Sequence, residues 1–167
     1  PPVVASHGEC VLVFLTVCTK QKAPLLASST MHSLLRQAWA FADNWLVGRY
    51  VVMPDHVHLF CSPGVRDSLS LKSWTAYWKG LVSRALMGSG PLSAALDDQT
   101  RHQCAALRSK CDAGLWQTDC WDVQITRGQS YSRKWEYVQQ NPVRAGLCRE
   151  AEEWPYQGQL NHLQWFD

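Results

Sequence analysis

The sequence has no C-x-x-C pair, no run of about 18 apolar residues, no charged-then-apolar leader and no internal repeat. Each absence removes a class of protein. Without paired cysteines a zinc ribbon is not indicated, and seven scattered cysteines (Cys10, Cys18, Cys61, Cys104, Cys111, Cys120, Cys148), an odd number, do not make a disulfide framework. One set, His102, Cys104, Cys111 and Cys120, can be imagined as a zinc knuckle, but its spacings match no common zinc pattern. The missing apolar run leaves no candidate membrane span, and the missing leader together with unpaired thiols makes a reducing cytoplasm the expected compartment. Charged residues are also sparse, 18% against 46% apolar, a balance that excludes disorder and can supply a core.

The length of 167 residues is expected to form one domain over residues 1–167, because typical domains run to roughly 100 to 200 residues. The net charge of +2 is unevenly spread. Residues 1–65 carry four basic and three acidic groups, residues 66–149 carry twelve and seven, and residues 150–167 carry none and four. A polyanion would therefore meet the second half of the chain, whereas a solvated mixed surface explains the same modest excess.

Periodicity gives the element order. "ECVLVFLTVCT" is continuously apolar and short, the pattern of a buried strand. "SSTMHSLLRQAWAFADNW" repeats Met31, Leu34, Leu35, Ala38, Phe41, Ala42 and Trp45 at helical spacing behind capping Ser or Thr residues at 28–30. "LVGRYVVM" and "HVHLFCS", joined by "PDH", read as an antiparallel hairpin ended by Pro63 and Gly64. A second helix follows Ser68 or Ser70, with Leu71, Trp74, Trp78, Leu81 and Leu86 near one face. Residues 88–114 have weak periodicity and suggest a surface insertion with at most one short helix. "LWQTDCWDVQIT" alternates as a fourth strand, and Ser130 can cap a last helix that Pro142 stops or kinks. Strand, helix, strand, strand, helix, strand and an extra helix predict an α+β, ferredoxin-like split βαβ fold, with two helices on one face of an antiparallel sheet.

The chemistry is concentrated in two stretches. In "MPDHVHLF", His56 and His58 are two apart on a strand and so project together, while Val57 faces the helices. Two such imidazoles can bind one divalent ion; alone, the H-x-H pattern equally suits polar residues on a wet sheet face. In "WEYVQQNPVRAGL", Tyr137 and Asn141 are one turn apart and set a phenol beside an amide. Taken singly, Tyr137 also fits a packed aromatic and Asn141 a helix-terminal residue. Together the four supply a Lewis-acid site and a nucleophile, the minimum for attack on a phosphodiester. Asp55 and Asp122 read better as a turn residue and a surface residue than as ligands.

The ordered blocks "VVMPDHVHLFCSP", "LWQTDCWDVQITR", "WEYVQQNPVRAGL" and "EEWPY" resemble the REP-associated tyrosine transposases, relatives of the single-tyrosine transposases within the superfamily of nucleases named for a histidine-hydrophobe-histidine (HUH) motif. The likeness runs from about Val11 to Tyr156, excepting residues 88–114. It implies that His56 and His58 hold a divalent metal, Mg²⁺ or Mn²⁺, that Tyr137 is the catalytic nucleophile, and that Asn141 is the third ligand. Insertion-sequence relatives usually carry a glutamine there, and Gln140 takes the place of Asn141 if the helix turns differently beside Pro142. The implied activity is cleavage and rejoining of single-stranded DNA beside a REP-type hairpin through a 5′-phosphotyrosine, in a bacterial cytoplasm and associated with the nucleoid. A catalytically silent hairpin-binding descendant of such a transposase is the alternative. The expected DNA contacts are Lys72, Lys79 and Arg84 on the second helix, Arg127, Arg133 and Lys134 near the last, and Arg144 after it, with Trp116, Trp121 and Trp135 as candidate site-lining aromatics. A monomer is expected, with a dimer as the alternative. The acidic tail, residues 150–167, is expected to pack beside the sheet through Trp154 and Trp165 rather than lie across a basic groove.

Overall fold

The computed structural model describes residues 11–64, 69–111, 114–125 and 131–164. Its centre is an antiparallel sheet of five strands, β1 (Leu12–Thr19), β2 (Trp45–Val52), β3 (His56–Pro63), β4 (Trp116–Ile125) and β5 (Gln157–Gln159), in the order β4-β1-β3-β2-β5. The first four strands have the split βαβ order predicted from the sequence. α1 (Ser29–Phe41) connects β1 to β2, and α2 (Leu71–Leu86) follows β3. Ser28 and Ser70 cap these helices by accepting from the backbone N–H of Met31 and Ser73. Ser68, the other cap candidate, and Ser130 lie outside the described residues.

The sheet has a core on each face because its strands alternate. Val13, Leu15, Val17, Val57, Leu59 and Cys61 pack under α1 and α2 with Trp74, Trp78 and Leu81. Leu12, Phe14, Val51, Met53 and Phe60 form the smaller core on the other face, together with Tyr131 and Val138 from α5 (Tyr131–Gln139). Phe41, placed on the buried stripe by spacing, is 50% exposed, and Trp39 is buried instead.

Three regions correct the expectations. Residues 88–114 contain two helices, α3 (Gly90–Ser93) and α4 (Asp98–Arg108), and Leu92, Leu96 and Cys104 join the large core. Asp97 caps α4 by accepting from Thr100 N–H at 2.7 Å, a start signal that the weak periodicity hid. After α5 the chain stays helical through Gln140 into α6 (Asn141–Arg144), with Pro142 in its first turn, so the proline separates two helices without ending helical backbone. Finally, the tail packs beside the sheet through Trp154 as expected, Trp165 lying outside the described residues, and it adds an unforeseen strand: β5 pairs with β2, and Trp154 donates its indole N–H to Val52 O at 2.9 Å. Gly48 leaves room for Leu163, further along the tail, since a Cβ there would lie 2.7 Å from Leu163 Cδ1.

Candidate active site

β3 opens with His56 and His58, and its alternation sends both to the face opposite α1 and α2. The His58 ring stacks on Phe14, centroids 5.3 Å apart, and the two imidazoles meet nearly at right angles with their Nε2 atoms 3.2 Å apart. Each ring is held at its other nitrogen. Asp55 Oδ1 is 2.6 Å from His56 Nδ1, and Thr16 Oγ1 is 2.8 Å from His58 Nδ1. Thr16 reaches His58 because the two are directly paired across β1 and β3. A carboxylate behind an imidazole keeps the proton on Nδ1 and turns the Nε2 lone pair outward. The Thr16 hydroxyl can donate or accept, so His58 can present Nε2 either as a donor to His56 or as a lone pair to an ion.

Those distances test whether the pair fits a cation. Two ring nitrogens bound to one divalent ion at about 2.1 Å stand about 3.0 Å apart at a right angle and about 3.4 Å apart at the tetrahedral angle. The separation of 3.2 Å lies between them. Burial pushes the His58 pKa down to about 3, helped by the positive charges of His56, Lys134, Lys22 and Arg144. The ring is therefore neutral near pH 7, as a metal ligand must be. Among the described residues no three His, Cys, Asp or Glu gather around a possible ion. The zinc-knuckle set is dispersed: His102 Nδ1 bonds Asp98 O and Cys111 donates to Leu107 O, while Cys104 is in the core.

α5 lies across the same face. Tyr131 and Trp135 pack edge-on against Phe60, at 4.6 and 6.4 Å, and Lys134 Nζ sits 4.7 Å from the Phe14 ring centroid. Tyr137 is off the packed stripe and 64% exposed. The Arg144 guanidinium covers its ring at 4.0 Å, donates to Tyr137 O at 2.6 Å and also donates to Asn141 Oδ1. The phenol and amide are thus linked through Arg144, which occupies the amide oxygen. Gln140 is exposed between α5 and α6.

The expected DNA contacts divide between the two faces. Lys134 and Arg144 act on His58, and Arg133 is exposed on α5. Lys72, Lys79 and Arg84 belong to α2 on the far side of the sheet, so they do not converge with the histidines. Lys79 donates to Gln117 O at 2.5 Å, and burial lowers its pKa. Arg127 lies outside the described residues. Of the aromatics, Trp116 donates to Lys79 O and meets Trp78 on the helix side, and Trp135 packs in the smaller core. Trp121 is 59% exposed. Thr16 and the orienting role of Asp55 were not foreseen; Asp55 directly precedes His56, which was the available signal, whereas Thr16 needs the strand register.

No protein-family model matches the chain. A Haemophilus influenzae protein assigned to the REP-associated tyrosine transposases is 26% identical over 106 residues, 63% of this chain and 53% of its own length. The REP-associated tyrosine transposase of Escherichia coli is 22% identical over 147 residues, covering 86% of this chain and 73% of the relative. The solved structure of a REP-associated tyrosine transposase bound to a REP hairpin superposes with a TM-score of 0.61 at 19% identity, over 94% of this chain and 81% of that one. The chain is similar in sequence and in fold to REP-associated tyrosine transposases. The chain spans about half the length of the Haemophilus protein. Its fold is also similar to a solved Deinococcus radiodurans protein assigned as a transposase, with a TM-score of 0.51 and 15% identity over 82% of this chain and 96% of the other. Among the described residues no helix is long and apolar enough to cross a membrane.

Proposed function

We propose that the protein cleaves and rejoins single-stranded DNA beside REP-type hairpins, with Tyr137 as nucleophile and with His56, His58 and Asn141 as the protein donors to Mg²⁺ or Mn²⁺. The matched imidazole pair carries this reading: two Nε2 atoms 3.2 Å apart, each ring fixed at Nδ1, on the face crossed by the tyrosine's helix. When bound, the ion would polarise the scissile phosphate and stabilise charge developing on its oxygens. Asn141 would be free to hold the ion only with its amide oxygen released by Arg144, whose guanidinium would then be suited to a phosphate. Tyr137 Oη attacks phosphorus as the bond to the 3′ oxygen breaks. The phenol proton passes to solvent and the departing strand end takes up a proton as a 3′-OH, leaving the 5′ phosphate on tyrosine. Attack by a later 3′-OH reverses these bond changes and rejoins strands without another energy source.

The test is a denaturing gel of protein with a labelled REP-hairpin strand and Mn²⁺. The wild type should give a covalent protein–DNA band, and Tyr137→Phe should give neither adduct nor cut strand. Cutting by Tyr137→Phe would overturn the assignment of the nucleophile. Tight hairpin binding by the wild type, with no adduct in any divalent metal, would establish the silent binder instead.

A further inference from the structure

Trp121 is a large aromatic left 59% exposed in a chain that buries most of its tryptophans, and its neighbour on the same side of β4, Val123, is 45% exposed. The strand register locates both. Trp121 is directly opposite Thr16, and Thr16 is directly opposite His58, so the three side chains stand in one row on one face. Two strand spacings of about 4.8 Å separate the backbones of Trp121 and His58, within one side chain and one nucleotide of each other. Val123 is opposite Phe14, whose ring carries Lys134 Nζ at 4.7 Å. The row therefore runs from the imidazole pair to an exposed indole, and Lys134, whose Nζ lies over the Phe14 ring, is on this side.

We propose that Trp121 is a stacking platform for one unpaired base of the DNA strand whose phosphate sits at His56 and His58. An indole face accepts any base, while the cations take the phosphates, which is the usual division of labour in single-strand grooves. Charge favours this occupant over an apolar peptide: an exposed aromatic in the row of His58, one pair along from the Phe14 ring that Lys134 covers, matches a polyanion that carries flat rings. The inference rests on the DNA-cleavage reading, and its consequence is positional. Trp121 fixes how far along the strand the cut falls from the hairpin, by holding one nucleotide next to the scissile phosphate.

The experiment is a coupling cycle measured by binding, in the Tyr137→Phe background so that no strand is cut. A labelled REP-hairpin oligonucleotide and a set carrying one abasic position each, stepped through the single-stranded flank, are titrated with protein carrying Trp121 or Trp121→Ala. Trp121→Ala should weaken the intact strand about 5- to 100-fold. It should weaken one abasic strand no further, and Trp121→Phe should restore most of the affinity. An equal loss on every abasic strand, or no loss at all, would overturn the platform. A loss accompanied by dissociation of a protein dimer in sedimentation would assign the patch to a second copy of the chain and overturn it too. Failure of the cleavage reading shows separately, as a missing adduct in the protein that retains Tyr137.

Discussion

Tyr131 and Tyr137 are six residues apart on α5 and have opposite surroundings. Tyr131 is 2% exposed, and burial raises its pKa to about 12 against the opposing charge of Arg49. In the unfolded chain the same phenol ionises near pH 10. Between those values the unfolded state loses a proton that the native state keeps, so the stabilisation is full below about pH 10 and disappears as pH rises toward 12. Urea unfolding at pH 8, 9.5 and 11 should show a steep alkaline loss that Tyr131→Phe makes shallower; an unchanged slope would mean that this phenol does not hold α5 down. Residue-level legibility follows the same distinction between local and distant causes. His56 and His58 could be read from H-x-H because a strand's two-residue period is local. The hydroxyl behind His58 could not, because Thr16 is forty-two positions away and becomes its neighbour only through strand pairing.

At the scale of elements, the four main strands and two main helices were legible since each carries its own period and its own turn or cap. β5 was not. It has three residues, Gln157 to Gln159, with no apolar alternation, and it exists because β2 offers an unpaired edge and Trp154 is already anchored beside it. α4 was hard to read for a related reason: of its residues only Cys104 is buried, and the segment is so polar overall that few apolar residues mark its face. Trp154 is one of the side chains that hold the tail to the sheet, together with Leu163 and Asn161. Trp154 is 8% exposed, lies edge-on to Tyr156 at 5.3 Å and donates to Val52 O. Trp154→Ala should cost about 3 to 5 kcal/mol in urea unfolding, the usual range for removing a buried tryptophan. A cost below about 1 kcal/mol would show that β5 pairs independently of its anchor.

For the whole molecule, the decisive property is that the sheet separates two kinds of surface. One face is sealed by α1 and α2, and the lysines on that layer are either spread over its outside or, like Lys79, bonded to β4 carbonyls. The other face carries the imidazole pair, Trp121 and the charges that act on His58. Basic residues are not uniformly useful to a polyanion in such a molecule, although the sequence shows only a modest excess in residues 66–149. Salt dependence separates the faces. For a single strand, log affinity falls with log salt by about 0.7 for each phosphate neutralised, so a residue that contacts DNA contributes to the slope and a bystander does not. In the Tyr137→Phe background, Lys134→Gln should flatten the slope by about 0.7, whereas Lys72→Gln on α2 should leave it unchanged. The reverse result would put the strand across the helical layer, away from His56 and His58. The phenol and the imidazoles would then have no common substrate, however well their own geometry suits an ion.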